Sequence, residues 1–375
     1  MRNKSKIGII IQTRLEDGGI HHYGEAMVNS FVDLEMSGCE FVLFLSKDDK
    51  RFENMSCAKR ILNCNEGRKK LLSYIAMSLG IRTSLLLNTQ TKKQFSDIDA
   101  LLIPNILYYP VYALSIPFAM TIHDLQERNF PHFFSWREKV KRGFVNRVLS
   151  KIASVLICES DSIQNDIETY LKVCHEKVLV LPERLRPAMY KAPLEKHSVQ
   201  EEPEFELKRD FLLYPAQFWP HKNHLLLLEA MSTIKEPIDL VLVGHKEDGI
   251  KKVQSKASEL NMLDRTHFLG FVSDSMLIQL YKKATLVVVP SLYESISLPV
   301  EEAKTNNTAV CCSNFLGKLH KIPKQMCFDP TDKMNMQSVI ANALNNPQKS
   351  DAEEIVDKEK HQKSLKAIIE KLLEK

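Results

Sequence analysis

The feature of this sequence that most constrains its fold is a repeated alternation of short apolar runs with helical patterns. In the first half the apolar runs are KIGIIIQT (6–13), EFVLFLS (40–46), DALLIPN (99–105), FAMTIHD (118–124) and SVLICES (154–160). Nearly continuous runs of this kind are typical of parallel strands that are covered on both faces. Helical patterns at 24–37, 136–152 and 162–171 separate several of them. The first half is therefore predicted to be a doubly wound α/β domain.

A second alternation begins after residue 210. Its apolar runs are FLLYP (211–215), IDLVLVG (238–244), THFLG (266–270), TLVVVP (285–290), TAVCCS (308–313) and MCF (326–328). Because 375 residues exceed one ordinary hydrophobic core, we predict two domains, at 1–185 and 209–350. A proline-rich, charged linker is predicted at 186–208 and a C-terminal helix at 351–375. Ligands usually lie at the carboxyl ends of such sheets, so we expect a binding cleft between the two domains.

Composition excludes several classes of protein. Apolar residues make up 44% and charged residues 26% of the chain, which is average for globular proteins and unlike disordered, fibrous or membrane-embedded ones. The N-terminal run IGIII (7–11) is too short for a signal peptide core or a membrane span. The eight cysteines form no CxxC pair and have no histidine at metal-ligand spacing. We therefore predict a cytoplasmic protein with free thiols and no metal site.

Positive charge is concentrated in one part of the chain. Residues 51–151 hold 16 Lys and Arg against 7 Asp and Glu, although the whole chain has a net charge of only +4. Within this region, FFSWREKVKRGFVNRVLSK (133–151) combines an apolar stripe with a basic flank. Such a helix suits the surface of an anionic membrane, and it equally suits packing on the sheet of its own domain. Both interpretations stay open at the level of the sequence.

The stretch SLYESISLPVEEA (291–303) joins an apolar strand to a helix and places two glutamates eight positions apart. The strand would deliver Glu294 to the cleft, and the small residues 295–297 would let their N–H groups approach a ligand. Pro299 suits the first turn of the following helix, where a missing N–H does no harm. Glu302, one turn into that helix, could accept hydrogen bonds from a diol such as a ribose. Its neighbour Glu301 is expected to lie on a solvated helix face.

The segment YPAQFWPHKNHLLLLEAM (214–231) repeats this arrangement of strand, polar loop and helix. A helix N-terminus that follows a parallel strand favours phosphate, and Lys222 just ahead of the helix would add a full positive charge. The alternative is a surface lysine that caps the loop.

Three further features lie in the first half. His123 and Asp124 end an apolar strand, where a base, a metal ligand, a hydrogen-bonding wall or an ordinary loop histidine all remain possible. The turn DGGIHHYGEA (17–26) is rich in glycine but lacks the GxGxxG spacing of dinucleotide-binding folds. The triplet Asp97–Asp99 resembles a metal site, but it enters a strand at its amino end, away from any cleft, so we do not expect it to bind metal.

Taken together, PSLYESISLPVEEA (290–303) and YPAQFWPHKNHLLLLEAM resemble the donor-binding domain of retaining glycosyltransferases of family 4, also called group 1. The segment 268–291 is similar to the part of that family that lines the nucleobase pocket. TIHDLQ (121–126) and the GGI turn (18–20) are similar to its acceptor-domain wall. The resemblance implies the GT-B fold, in which two doubly wound Rossmann-like domains face each other across a cleft. It also implies a nucleotide-sugar substrate with no cofactor and no metal.

The resemblance implies roles for individual residues. Glu294, Lys222 and His123 would be catalytic: Glu294 would hold the donor sugar, Lys222 would neutralise the leaving diphosphate, and His123 would touch the transferred sugar. Glu302 would bind the ribose hydroxyls. The remaining donor-binding residues would be Gln217, Gly244, Phe271, Val272, Ser295, Ile296, Ser297, Leu298, Gly18 and Gly19.

The sequence departs from the family pattern in the donor loops. Gln217 stands where the family usually has arginine, which removes one positive charge from the diphosphate site. Ser295 and Ser297 stand where the family has glycines, and Asn307 replaces a later glycine. These differences put the identity of the donor and the level of activity in doubt.

We therefore predict a retaining, metal-independent hexosyltransferase. It would move a hexose-type sugar from a UDP-, GDP- or ADP-sugar to a glycan or polyprenyl-linked saccharide, in the biosynthesis of O-antigen, capsule or lipopolysaccharide. It would act in the cytoplasm, with peripheral contact at the inner face of the cell membrane through residues 133–151, and without a nucleic-acid partner. The alternative is a GT-B protein of weak or no activity that binds a nucleotide or glycan as a partner or scaffold. Another GT-B chemistry, epimerase or phosphorylase, is disfavoured by the loop sequences.

Overall fold

The structure is a computed structural model that describes residues 4–13, 19–34, 36, 38–47, 49, 51–62, 67–181, 207, 209–245, 247–350 and 358–374. The chain divides into two compact units, Met1–Arg184 with Val356–Lys375 and Leu185–Ile355. Nearly all of the linker predicted at 186–208 lies outside the described residues, as do Gly18 and the start of the predicted C-terminal helix.

The first unit is built on a seven-stranded parallel sheet. Its strands are β1 (Ser5–Ile10), β2 (Cys39–Leu45), β3 (Ala58–Ile61), β4 (Ala100–Ile103), β5 (Phe118–Thr121), β6 (Val155–Cys158) and β7 (Val178–Val180), in the order β3-β2-β1-β4-β5-β6-β7. Its first helices are α1 (Gly19–Val32), α2 (Gly67–Ser78), α3 (Thr89–Gln94), α4 (Gln126–Asn129), α5 (Trp136–Ile152) and α6 (Asp161–Leu171). The predicted apolar runs form the central strands because helices cover them on both faces. The edge strands β3 and β7 are not predicted by the sequence analysis.

The second unit has a six-stranded parallel sheet. Its strands are β8 (Phe211–Pro215), β9 (Asp239–Val243), β10 (Thr266–Gly270), β11 (Leu286–Val289), β12 (Val310–Ser313) and β13 (Cys327–Phe328), in the order β10-β9-β8-β11-β12-β13. Its helices are α7 (His224–Met231), α8 (Glu247–Glu259), α9 (Asp274–Lys283), α10 (Leu298–Thr305), α11 (Asn314–His320) and α12 (Lys333–Asn345). Strand order reverses between β8 and β11, so the loops that follow these two strands diverge to either face of the sheet. Two doubly wound α/β units are therefore present, as the sequence predicts.

The last helix, α13 (Lys358–Leu373), belongs to the first unit although it follows the second unit in the chain. Its apolar side chains enter the core beside β5, β6 and β7, where Leu365, Ile368, Ile369 and Leu372 are almost fully buried. His361 adds a contact of 3.3 Å between its Nε2 and Ser30 Oγ of α1. The core of the first unit is therefore completed by a helix that follows the second unit in the sequence.

Among the described helices, none combines the length and the apolar composition that crossing a bilayer would require.

The packing of α13 predicts a unit-specific loss of stability. Replacing the buried Ile368 with Ala should destabilise the first unit by about 3 kcal/mol, because it removes side-chain contacts and leaves a cavity. Lys366→Ala, on the exposed side of the same helix, should change stability by less than about 0.5 kcal/mol. Hydrogen exchange read by mass spectrometry distinguishes the units: peptides from β1 and β6 should exchange faster in I368A. Faster exchange confined to β8 and β11 would contradict the assignment.

Candidate functional site

The candidate site lies in the second unit, where the order of its strands reverses. The loop at 216–223 follows β8, and the loop at 290–297 follows β11, the neighbour of β8 in the sheet. In an open parallel sheet, this switch point forms the crevice in which ligands usually bind. Both segments that carry the family resemblance therefore come together at one end of the sheet.

Direct hydrogen bonds join the two loops. The N–H of Leu292 donates to the carbonyl of His221 at 2.7 Å. The side-chain amide of Asn223 donates to the carbonyl of Pro290 at 3.1 Å and to that of Pro330 at 2.7 Å. Asn223 has the left-handed φ of 62° that asparagine tolerates better than most residues. Its position before α7 lets one side chain connect three segments.

A buried ion pair lies between the loops. Lys222 Nζ is 2.8 Å from Glu294 Oε1, and the two side chains are 18% and 4% exposed. The hydroxyl of Ser291 donates to the same oxygen of Glu294. The carboxylate therefore has two protein donors, which offset the free energy lost when its charge leaves water.

Tyr214, in β8, contacts both loops beside this ion pair. Its hydroxyl donates to the carbonyl of Lys222 at 2.9 Å and lies 3.1 Å from Ser291 Oγ. Burial, and secondarily the charge of Glu294, raise the pKa of Tyr214 well above its usual value. The phenol is therefore a neutral donor that holds the ion pair in place.

The histidine that opens α7 is a structural residue. His224 is buried, and its ring centroid lies 4.7 Å from those of both Tyr214 and Phe218. Burial, followed by the charge of Lys222, lowers the pKa of His224 to about 3. Its imidazole is therefore neutral near pH 7 and does not add a charge to the site.

Glu302 is buried within α10. Its Oε2 accepts a hydrogen bond of 2.7 Å from the hydroxyl of Tyr281, and the backbone carbonyl of Tyr281 accepts one from Thr308. The bond from α9 fixes the orientation of this carboxylate. A carboxylate has further lone pairs, so one hydrogen bond does not exhaust its capacity to accept others.

The expectation for Glu301 is wrong. Instead of a solvated helix face, Glu301 occupies a buried position where α11 covers α10. Its carboxylate lies beside His320 Nδ1 and 3.4 Å from Lys304 Nζ, and Lys304 also donates to the His320 carbonyl at 3.2 Å. The helical pattern alone did not reveal α11 as a neighbour, so the sequence analysis left this face to solvent.

This buried network reaches the loop at 290–297. The N–H of Ser297 donates to His320 Nε2 at 3.1 Å, while Nδ1 of the same ring faces Glu301. The N–H of Ser297 is therefore bound inside the protein, although the sequence analysis places it facing a ligand. Ser295, Ile296 and Leu298 are half-buried around it.

The other donor-binding residues predicted for this unit follow β8, β9 and β10. Gln217 Oε1 accepts a hydrogen bond of 2.8 Å from the N–H of His245. At Gly244, φ is 147° and a Cβ would lie 2.3 Å from the carbonyl oxygen of Ala216, so only glycine fits. Phe271 is exposed with its ring centroid 5.4 Å from that of His245, and Val272 packs on the core.

Two of the predicted site residues, His123 and Gly19, are described in the first unit. His123 follows β5. Its Nε2 lies 2.9 Å from the carbonyl oxygen of Pro104, and its Nδ1 faces Glu159. Its ring meets that of Tyr23 edge-on, with the two centroids 4.7 Å apart. Gly19 is the first residue of α1, and a Cβ there would meet no atom of the described residues within 4 Å. Close packing against the described part of this unit therefore does not require glycine at position 19.

The acidic triplet is engaged with basic side chains. Asp97 accepts from Lys6 at 3.0 Å and from Arg60 at 2.7 Å, and these partners hold the pKa of Asp97 well below its usual value. Within the described ranges, no three His, Cys, Asp or Glu side chains are grouped closely enough to hold a metal ion. Metal independence of the reaction stays a prediction.

Three comparisons bear on the family. Residues 195–362, less than half of the chain, match the family model described as glycosyl transferases group 1. The O-antigen chain mannosyltransferase RfbU of Salmonella typhimurium is 25% identical over 225 residues, 60% of this chain and 60% of that protein. The MMP α-(1→4)-mannosyltransferase of Mycolicibacterium hassiacum is 27% identical over 225 residues, 56% of this chain and 52% of that protein. The chain therefore spans little more than half the length of these curated relatives.

Solved structures share the whole fold. The crystal structure of Anabaena HepE in complex with UDP and glucose has a TM-score of 0.66 and 16% sequence identity, covering 98% of this chain and 94% of that one. At this identity the likeness concerns the fold alone. The predicted fold class, two parallel-sheet Rossmann-like domains of the GT-B type, is confirmed.

The ion pair predicts a measurable energetic coupling between the two loops. Lys222→Met should destabilise the second unit by about 3 kcal/mol, because it leaves the buried carboxylate of Glu294 without its cation. Lys222→Met with Glu294→Gln should cost less than the sum of the single changes, with a coupling free energy of about 1–3 kcal/mol. Chemical denaturation of the four proteins gives this value. The more exposed pair Lys256–Glu229 is the matched control, and its coupling should be much smaller because water screens the two charges. Equal couplings in the two pairs would contradict the interpretation.

The histidine network predicts a difference between two substitutions. His320→Leu should destabilise the unit by about 3 kcal/mol, since it leaves the N–H of Ser297 and the carboxylate of Glu301 without their hydrogen-bond partner. His320→Gln, which can both donate and accept, should cost about half as much. Thermal and urea unfolding measure both values. Equal losses in the two variants would mean that the ring is required for packing rather than for hydrogen bonding.

Proposed function

We propose that this protein is a retaining glycosyltransferase that moves a hexose-type sugar from a nucleotide-sugar donor to a saccharide or lipid-linked saccharide. The observation that carries the proposal is the pair Lys222–Glu294, held between the two loops at the switch point of the donor-side sheet. The family match and the mannosyltransferase relatives support the same reaction class. The relative that acts on O-antigen chains favours a surface polysaccharide as the product.

Lys222 is proposed to neutralise the leaving diphosphate. Breaking a glycosyl–phosphate bond leaves negative charge on the diphosphate, and a preorganised cation there stabilises the transition state more than the ground state. An ammonium group has three N–H donors, so it can keep its bond to Glu294 and still reach a phosphate oxygen. Glu294 thus fixes the position of Lys222 before the donor binds.

Glu294 and Glu302 are proposed to bind the two ends of the donor. Glu294, at the mouth of β11, would accept hydrogen bonds from hydroxyls of the sugar, as the family resemblance implies. Glu302, aligned by Tyr281, would accept them from the ribose. The first turns of α7 and α10 would contribute N–H groups and the positive ends of their dipoles to the diphosphate.

The chemistry needs no protein nucleophile if the acceptor attacks from the same face that the diphosphate leaves. Positive charge then develops on the sugar ring, and neighbouring carboxylate and carbonyl oxygens would stabilise it. His123 is proposed to contact the transferred sugar; its ring orientation is fixed by Pro104 and Glu159. Metal independence and the absence of a cofactor are part of this proposal.

A binding protein without transferase activity is the second candidate. The N–H of Ser297, which the sequence analysis assigns to the ligand, is bound by His320, and Gln217 replaces a positive charge of the family and holds the His245 backbone instead. Both features reduce the number of groups that a diphosphate can contact. We expect these two features to lower the rate of transfer more than they weaken donor binding.

Donor turnover tests the proposal. Purified protein should convert at least one member of a panel of UDP-, GDP- and ADP-sugars, read as release of nucleoside diphosphate. Lys222→Met and Glu294→Gln should each lower kcat/KM by at least about a hundredfold. Glu229→Gln, which removes a similar ion pair outside the site, should retain activity.

Thermal unfolding separates the two candidates. A donor or its nucleoside diphosphate should raise the melting temperature, because a ligand that binds only the folded state stabilises it by mass action. Stabilisation that is lost in K222M, with no turnover of any donor, would support the binding protein. Neither stabilisation nor turnover across the panel would contradict both candidates.

A further inference from the structure

Helix α2 carries its large aliphatic side chains on the outside of the first unit. Leu71, Leu72 and Ile75 are 61%, 51% and 45% exposed, and Leu79, which follows the helix, is 67% exposed. The opposite side of α2 is buried through Ser73, Ala76 and Met77. A surface helix of a globular protein normally has the reverse pattern, with charged and polar residues facing water. A cluster of exposed aliphatic residues indicates a surface that binds something.

The apolar surface continues onto α5. The rings of Tyr74 in α2 and Phe144 in α5 are in contact, with centroids 5.5 Å apart. Val140 and Trp136 lie one and two helical turns before Phe144 on the same side of α5, and they are 59% and 68% exposed. We call the set Leu71, Leu72, Ile75, Leu79, Trp136 and Val140 the apolar face.

The rest of the aromatic cluster at 133–144 packs within the protein. Phe133 stacks on Phe130 with centroids 5.7 Å apart, and Phe134 lies under the guanidinium of Arg142. Helix α5 therefore contributes Trp136 and Val140 to the apolar face, while most of the exposed aliphatic residues of that face come from α2. The sequence analysis does not single out α2 for contact with a membrane.

Basic residues surround the apolar face. Arg68 lies one turn before Leu71 and Leu72, and Arg137 and Lys141 flank Val140 on α5; all three are exposed. Acidic residues nearby are engaged by other groups: Asp124 and Glu127 pair with Arg142, and Glu138 caps the start of α5 through Ser135. The surroundings of the apolar face therefore carry a positive excess.

We propose that the apolar face and its basic surroundings form a docking surface for an anionic lipid bilayer. Aliphatic side chains and a tryptophan would enter the interface, while arginine and lysine would meet anionic headgroups. A second copy of this chain is the less favourable occupant, because a symmetric contact through this face would bring two equally basic surfaces together. The proposal does not depend on the transferase activity.

Vesicle binding tests the proposal with full-length protein. Wild-type protein should float with vesicles of phosphatidylcholine and phosphatidylglycerol and should bind pure phosphatidylcholine much less. The triple variant Leu71→Ser, Leu72→Ser and Ile75→Ser should bind the anionic vesicles at least about tenfold more weakly. Its matched control, Leu225→Ser, Leu263→Ser and Met334→Ser, removes similarly exposed apolar residues from the second unit and should bind like wild type.

A second pair of variants measures the contribution of the basic residues around the apolar face. Arg68→Gln, Arg137→Gln and Lys141→Gln together should lower the binding to anionic vesicles by about a hundredfold, since each cation near such a surface contributes roughly a fivefold factor. Lys282→Gln, Lys318→Gln and Lys324→Gln remove three exposed lysines from the second unit and should have little effect. Melting temperatures of all variants check that folding is unchanged.

Other outcomes would overturn the proposal. Equal binding to neutral and anionic vesicles, no binding to either, or equal losses in the face variants and their controls would each do so. Analytical ultracentrifugation of the wild type tests the other occupant, a second copy of this chain. A dimer that the triple variant at 71, 72 and 75 abolishes, without vesicle binding, would assign the apolar face to a second copy of the chain.

Discussion

The ion pair between Lys222 and Glu294 is the interaction on which the geometry of the candidate site depends. The two residues belong to loops that follow adjacent strands, and their contact is supported by Tyr214 below and Ser291 beside it. Hydrogen bonds from Leu292 and Asn223 join the same loops independently. A buried charge pair contributes little net stability, but it is costly to break, so it specifies one arrangement of the two loops.

The residues at which this chain departs from the family pattern it resembles have local explanations. Gln217 cannot supply the charge of an arginine, but its side-chain oxygen holds the backbone at His245 and so fixes the loop after β9. Serine at position 297 reduces the freedom that glycine would give, and His320 binds its N–H from the neighbouring helix. The loops of this protein are therefore fixed by internal hydrogen bonds at Gln217 and Ser297.

The parts of the fold that follow from local pattern could be predicted from the sequence. Continuous apolar runs marked the central strands, and a strand followed by a polar loop and a helix marked Lys222 and Glu294. Features set by distant neighbours could not be predicted. Burial of Glu301 requires α11 to cover α10, and the roles of Asn223, Tyr281 and His320 depend on partners far along the chain. Only the asparagine left a local signal, since it precedes a helix and tolerates a left-handed conformation.

The return of α13 to the first unit has a consequence for biosynthesis. The second unit is a continuous segment of the chain, whereas the first unit lacks Leu365, Ile368, Ile369 and Leu372 until the second unit and α13 have been synthesised. Domains generally fold as they emerge from the ribosome, beginning with the N-terminal one. Here that order is reversed in its last step. The second unit can finish folding first, and the first unit completes its core only after α13 has been synthesised.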